Sequence, residues 1–420
     1  MKKNMLSTLA FVLSFICYTG AIYSEQAEFN LAQIIDLYKQ NNIDLHIQRI
    51  EVENSLLRKK IARTWDNPFI QYLQEGINVG DNSSPLRGSE LQFVLGKKIS
   101  LSGARSLQVK QAQSEMKIAS DEYSLTFWDG LFSVKMLYSE IQYLMKRLDI
   151  LLSTKEKVDR LKNIIAANYR QGEASGIDLS RIEIVLKELA LENSDIEKLF
   201  EQKRRELMTH LDIPQESEPL ALSSSWGQII LRDKKEKLFK TAIDNNPRLQ
   251  RLADISASNE LQITLEKRKI IPDITAVGGY KKENNFDTYT FSLSLDFPIF
   301  NQNRGEIEIA KSILTRNKFQ QKQVKNEILE ALEAEYTGYL KSTELIQLFL
   351  SKYLTSSEKL ESASIAAYEG GEIAILTLVD ALQTAYRTRI EFMDLILKCN
   401  SAVFSLEKIT GEELDVEEKS

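Results

Sequence analysis

The residue types that most often carry chemistry are scarce in this chain. Of 420 residues only two are His and two Cys. His46, His210, Cys17 and Cys399 form no cluster at metal-ligand spacing, so no tight transition-metal site is expected. The glycine-containing turns lack the spacing of a phosphate loop, no serine sits in a nucleophile elbow, and the methionines are scattered as packing residues. The sequence therefore points away from an enzyme and implies neither a metal nor a cofactor. The net charge of −6 and a pI near 5.4 give no basic surface for nucleic acid.

What remains must be read from the elements. Lys2 and Lys3, the apolar run Leu6 to Ile16 and the mixed stretch ending at Ser24 read as an export signal over residues 1–24, with cleavage after Ala21 or Ser24. A single membrane anchor is the competing reading, and the run is short for one. Lipidation at Cys17 is disfavoured, because Ile16 stands where a lipobox needs a small residue. If Cys17 leaves with the signal, Cys399 has no disulfide partner. No later apolar run reaches the ~18 residues of a membrane helix, so any crossing of a bilayer must use strands.

An internal duplication organises the rest. Asn41-Asn42 and Pro68 recur 204 positions on as Asn245-Asn246 and Pro272. Arg105, Tyr169, Gly172, Glu173, Leu179 and Leu207 recur 199 positions on as Arg304, Tyr368, Gly371, Glu372, Leu378 and Leu406. The expected division is a first repeat over 25–220, with a β-hairpin at about 69–99, and a second over 221–420, with a hairpin at about 273–297.

Each half has one plan. A helix of about 35 residues (Leu31 to Thr64; Lys234 to Lys269) ends before a proline, which disfavours helix in the preceding residue. The period then falls to two. Tyr289, Phe291, Leu293, Leu295 and Phe297 alternate with Thr290, Ser292, Ser294 and Asp296, a strand signal. Lys281 to Asp287 reads as the polar turn of this hairpin. In the first half, Phe69 to Val79 and Glu90 to Ile99 are the strands, with a longer loop from Gly80 to Gly88. Arg105 to Tyr169 then runs without proline, with Leu137, Ile141, Leu144, Leu148, Leu151, Val158 and Ile165 as a heptad seam. Gly172 and Gly371 stop the long helices. Returning helices follow from Asp178 and Ile375, the first with a seam of Ile182, Val185, Leu189, Ile196 and Leu199. Asp178 is placed to serve as an N-cap.

Four strands with one apolar face match membrane-spanning strands better than soluble hairpins. They cannot close a barrel alone, and an open edge in lipid leaves backbone groups unpaired. The channel must therefore be an oligomer, and three copies would supply twelve strands.

Taken in order, Asn67-Pro68, Gly96-Lys97-Lys98, Leu101-Ser102-Gly103-Ala104-Arg105, Tyr368-Glu369-Gly370-Gly371-Glu372 and Leu378-Val379-Asp380-Ala381 resemble the TolC-like outer-membrane factors, nearest the CzcC/CusC-type cation-efflux branch. The resemblance implies a mainly helical protomer with a small β part. It further implies a homotrimer with a twelve-stranded β-barrel in outer-membrane lipid and an α-helical barrel in the periplasm. Partners implied are a periplasmic adaptor (membrane fusion protein) and an inner-membrane transporter, RND-type favoured. Also implied is a periplasmic gate of Asp178, Asp380, Thr377 (where the family's second acidic ring falls), Arg181, Arg387 and Arg389. The turns at Gly172, Glu173, Gly371 and Glu372 would dock the adaptor. The expected function is a passive efflux duct, for metal cations or small toxic compounds. Type I protein or peptide export, and a periplasmic adaptor or structural coiled coil, stay open as alternatives.

Overall fold

The computed structural model describes residues 28–77, 89–218, 220–283 and 286–419. The signal sequence expected over 1–24 and the loop from Gly80 to Gly88 lie outside them. The first half comprises α1 (Leu31–Asn41), α2 (Ile43–Arg63), β1 (Phe69–Glu75), β2 (Glu90–Ser100), α3 (Ala104–Gln171) and α4 (Gly176–His210). The second comprises β3 (Gln228–Leu231), α5 (Lys235–Asn245), α6 (Pro247–Arg268), β4 (Asp273–Glu283), β5 (Phe286–Leu295) and α7 (Arg304–Leu348). A π turn (Phe349–Tyr353), α8 (Leu354–Glu369), α9 (Ile375–Thr410) and β6 (Val416–Lys419) complete it.

The first helix of each half is broken where one continuous helix is expected. Asn42 and Asn246 leave helical geometry, with ψ of 125° and 121°. Each caps the next helix: the Asn42 side chain accepts from Leu45 N–H, and that of Asn246 from Arg248 and Leu249 N–H. Their amides also donate to the ends of distant helices, at His210 O (2.9 Å) and Ile409 O (2.8 Å). A short polar side chain that satisfies both helix-end donors and a remote carbonyl outweighs the few backbone bonds lost at the break.

The same core is built twice. Ile34, Tyr38 and Leu207 are buried in the first half, and Leu238, Ala242 and Leu406 at the matching places of the second. Tyr38 requires the glycine opposite: its hydroxyl donates to Phe127 O at 3.1 Å, and a Cβ on Gly130 would lie 2.1 Å from the Tyr38 hydroxyl oxygen. Further along α3 the heptad residues Leu137, Ile141, Leu144, Leu151, Val158 and Ile165 are all buried. On α4, Ile182, Val185, Leu189 and Ile196 are buried, but Leu199 is exposed and Phe200 packs inward instead. A straight helix drifts against a seven-residue repeat, and by Leu199 the drift has moved the seam one residue on.

The strands form one antiparallel sheet in the order β1-β2-β4-β5. Its hairpin from the second half turns more tightly than expected, since strand persists to Glu283 and resumes at Phe286. Register aligns Tyr72, Phe93, Tyr280 and Tyr289 in one row and Ile70, Leu95, Gly278 and Phe291 in the next. Ile99, Ile274 and Leu295 continue this apolar face. The opposite face carries Gln71, Gln92, Lys98, Thr275, Lys281, Thr290 and Ser292, as strand alternation requires. The apolar face is open to the surroundings: Ile70 is 79%, Tyr289 84% and Phe291 75% exposed.

Below the sheet, α2 packs on α3, α3 on α6 and α6 on α7, giving a panel whose outer members are α2 and α7. The free side of α2 carries Ile43, Ile47, Ile50, Leu57 and Ile61, all exposed. Thus Ile47 and Ile50, apolar positions of a helical pattern, are not core. A two-stranded sheet of β3 and β6 and a bridge from Phe29 to Leu222 lie alongside α9 and α1 respectively. Among the described residues no helix is long and apolar enough to cross a membrane.

Replacing either capping asparagine, Asn42→Ala or Asn246→Ala, is expected to destabilise the fold by about 1–3 kcal/mol. Thermal unfolding in detergent reads this directly. An unchanged midpoint for both variants would contradict the role given to the breaks.

Candidate functional site: the helix tips and the groove between α4 and α9

Both long helices end in the same hydrogen-bonded turn. Gly172 and Gly371 adopt left-handed geometry, with φ of 81° and 73°. Glu173 N–H donates to Asn168 O (2.9 Å) and Glu372 N–H to Ala367 O (2.8 Å). Gly172 and Gly371 donate to Tyr169 O and Tyr368 O (3.1 and 3.0 Å). This paired closure of helix-end carbonyls needs a residue without a Cβ penalty at positive φ, which explains the recurring Gly-Glu pair. Gly172, Glu173, Gly371 and Glu372 are all exposed at the tips.

The returning helices start differently. Ser175 is the N-cap of α4: its hydroxyl accepts from Asp178 N–H, and the Asp178 carboxylate accepts from Ser175 N–H (3.1 Å) and Oγ–H (2.9 Å). Asp178 is therefore not the N-cap but the third residue of a capping box. At the corresponding start of α9, Ala374 and Thr377 occupy these two places and make no side-chain cap. Tyr368 of the second tip packs on the same apolar cluster as Ala174 and Leu179 of the first, and burial, then Asp178, raises its hydroxyl pKa above the ordinary value.

The structure brings Arg181 and Asp380 into one groove between α4 and α9, about 450 Å³ in volume, with Glu188 and Gln383 on its walls. These two residues stand 199 positions apart, so the duplication places Asp380 where the first half has Arg181. Beneath the groove, Val158, Ile182, Leu378 and Leu382 pack α3, α4 and α9 together. Thr377 is exposed one turn before Asp380, and Arg387 is exposed further along α9.

Arg389 is committed elsewhere. It pairs with Glu361 of α8, which also binds Lys157 of α3 at 2.8 Å. Burial opposes the ionisation of Glu361, yet Arg389 and Lys157 together hold its carboxyl below the ordinary value. The triad ties α3, α8 and α9 just above the tips, and its stabilisation is present above the ordinary carboxyl pKa and lost in acid. A second internal tie joins the halves, from Lys135 of α3 to Glu407 of α9 at 2.6 Å, both nearly fully buried. Lys157 and Glu361 lie 204 residues apart, beyond any local sequence signal. Among the described residues no group of three or more His, Cys, Asp or Glu could hold a metal ion.

The missing cap can be restored. Ala374→Ser combined with Thr377→Asp is expected to stabilise the start of α9 by about 1 kcal/mol, and Ser175→Ala to loosen α4 by a similar amount. Amide exchange at the two helix starts reads both changes, and unaltered exchange in both variants would count against the capping description.

With this geometry in hand, the known proteins it resembles form a consistent set. The profile of the outer membrane efflux proteins matches residues 238–412, which run from α5 to the end of α9. The cobalt-zinc-cadmium resistance protein CzcC of Cupriavidus metallidurans is 21% identical over 387 residues, covering 91% of this chain and 90% of its own. Among solved structures, CusC superposes with a TM-score of 0.76 at 15% identity, covering 95% and 96% of the two chains. The outer membrane protein VceC of Vibrio cholerae gives 0.75 at 15% identity, covering 92% and 97%. At such identities the superpositions speak for the fold, and the fold is shared from end to end. The profile of the outer membrane efflux proteins thus matches the second half, the first half repeats the same helix–hairpin–helix plan, and end to end the chain has the fold of the channel proteins CusC and VceC.

Proposed function

We propose that three copies of the chain close one continuous tube, which passively conducts divalent metal cations from the periplasm to the exterior. One observation carries the reading: the sheet and the helical panel end at the same places in the chain. The edge strands of the described sheet are β1 and β5, and the outer panel helices are α2, leading into β1, and α7, leading out of β5. A neighbour that pairs β5 with β1 also sets α7 against the apolar stripe of α2. Three such joins give twelve strands, with the tyrosine rows facing lipid and the polar face lining the lumen.

In this reading the periplasmic end narrows at the α4–α9 groove. Three Asp380 and three Arg181 alternate around the axis, so the ring is nearly neutral and holds itself closed by its own ion pairs. Asp178 is occupied by the capping box, and Thr377 brings no charge, so neither adds to cation focusing. The tips at Gly172-Glu173 and Gly371-Glu372 dock a periplasmic adaptor, which connects the tube to an inner-membrane transporter of the proton-driven RND type. The cation cargo is supported by the likeness to CzcC over nine-tenths of both chains. A conduit has no need of a tight ligand set, and weak, successive contacts suit release.

The purified protein in detergent is expected to have the mass of a trimer by native mass spectrometry, and a monomer that conducts ions would sink the closure. In planar bilayers, Asp380→Ala is expected to raise single-channel conductance, and unchanged conductance would remove Asp380 from the gate. Deleting the gene should sensitise cells to cobalt, zinc or cadmium; loss of an exported protein instead would favour the secretion alternative.

A further inference from the structure

The seam between α3 and α6 joins the two halves of the protomer at the centre of the helical panel, and it is unusually polar. Gln111 donates to Gln262 at 2.9 Å. Arg251 binds Glu122 at 2.6 Å, and Lys117 lies 3.9 Å from Asp254. Within this seam two buried side-chain atoms find no hydrogen-bond partner, Asp121 Oδ2 and Asn259 Nδ2. Asp254, which Lys117 approaches at 3.9 Å from one helical turn before Asp121, is the carboxyl that interacts with Asp121. Two ionised carboxylates facing each other repel, and Asp121 Oδ2 is left without a donor. A single proton removes both faults, since it turns one acceptor into a donor.

We propose that Asp121 and Asp254 share one proton, forming a pH-dependent clasp that holds α3 to α6 across the duplication. The groups facing Asp121 are Asp254 and Arg251 from α6, with Lys117 and Glu122 alongside it on α3. Lys117 and Arg251 favour ionisation, but burial and then Asp254 outweigh them and push the Asp121 carboxyl up to about 6. From α7, this stretch of α6 receives the neutral Gln321, whose amide donates to Leu252 O (2.8 Å) and Ser256 Oγ (3.0 Å), and Glu327 pairs with Arg248 about a turn before it. The sign follows from the raised value. The bound proton stabilises the folded seam fully below the ordinary carboxyl value of 3.8, and that stabilisation is lost as pH rises through about 6. The clasp lies about 25 Å from the start of α3 at ~1.5 Å per residue, outside the strands, in the part of the tube that equilibrates with the periplasm. It does not depend on the identity of the cargo or on how many copies close the tube.

The experiment uses the full-length protein in detergent, as wild type, Asp121→Asn and Asp254→Asn. Infrared spectra of the wild type are expected to show the carbonyl stretch of a protonated buried carboxyl that fades as pH is raised through about 6. Asparagine at either position should abolish that titrating band, because a neutral amide supplies the donor permanently. The wild-type unfolding midpoint should fall between about pH 4 and 6 more steeply than that of Asp121→Asn. Absence of the band from the wild type overturns the proposal, and so does its persistence in both variants. Equal pH slopes for wild type and Asp121→Asn overturn it as well. Should a variant fail to fold, the wild-type titration and the other variant still decide the matter.

Discussion

A strand edge exposed to hydrocarbon leaves a row of amide and carbonyl groups with nothing to bind, at several kcal/mol each. In this protomer β1 and β5 both present such a row, and most of the molecule can be understood as its consequence. The hairpins must be apolar on one side and polar on the other, since each meets a different medium. The helices that lead into and out of the edge strands must themselves be outer members of the panel, so the joints above and below can be made together. Apolar residues such as Ile43, Ile47 and Ile50 on α2 are then surplus to the protomer's own core without being a fault in it. Charge on the remaining helix faces is what a wall wetted on two sides requires.

The duplication is faithful in the core and unfaithful at the tips. Ile34 and Tyr38 have their counterparts in Leu238 and Ala242, and both glycine turns close with the same pair of hydrogen bonds. The first returning helix begins with a capping box, whereas the second begins at Ala374 without one. In place of the cap, the second hairpin has the Lys157–Glu361–Arg389 triad, which anchors it to α3 some way above its turn. One tip is thus held by its own backbone and the other by charges from a neighbouring helix. Interactions of these two kinds respond differently to acid and salt, so the halves need not loosen under the same conditions.

Much of this fold was legible in the residues because it is written in local periods. The alternation from Tyr289 and the seam from Leu137 to Ile165 each reflect one element packing on one side; the seam appears where the pattern puts it, while the strand starts earlier, at Phe286, and ends at Leu295, two residues before Phe297. Breaks were harder. Asn41-Asn42 signals a helix start, but whether a helix also ends there depends on a hydrogen bond to His210 O, far away in sequence. In the second copy Pro247 follows the cap and makes the start plainer. Of the candidate gate residues, Asp380 and Arg181 do share a groove, while Arg389 and Asp178 are engaged by Glu361 and Ser175. Nothing in the local sequence distinguishes a free arginine from one whose partner arrives from another helix. The strands β3 and β6 were likewise silent, being four residues each and without alternation.

The π turn at Phe349–Tyr353 interrupts the long helix of the second half, whereas α3 runs unbroken. Arg105 to Tyr169 and Arg304 to Tyr368 contain the same number of residues, so the extra residue taken up by one wide turn is subtracted from the helix's reach. The second hairpin is shorter by about 1.5 Å, so the two tips of one protomer reach to slightly different depths.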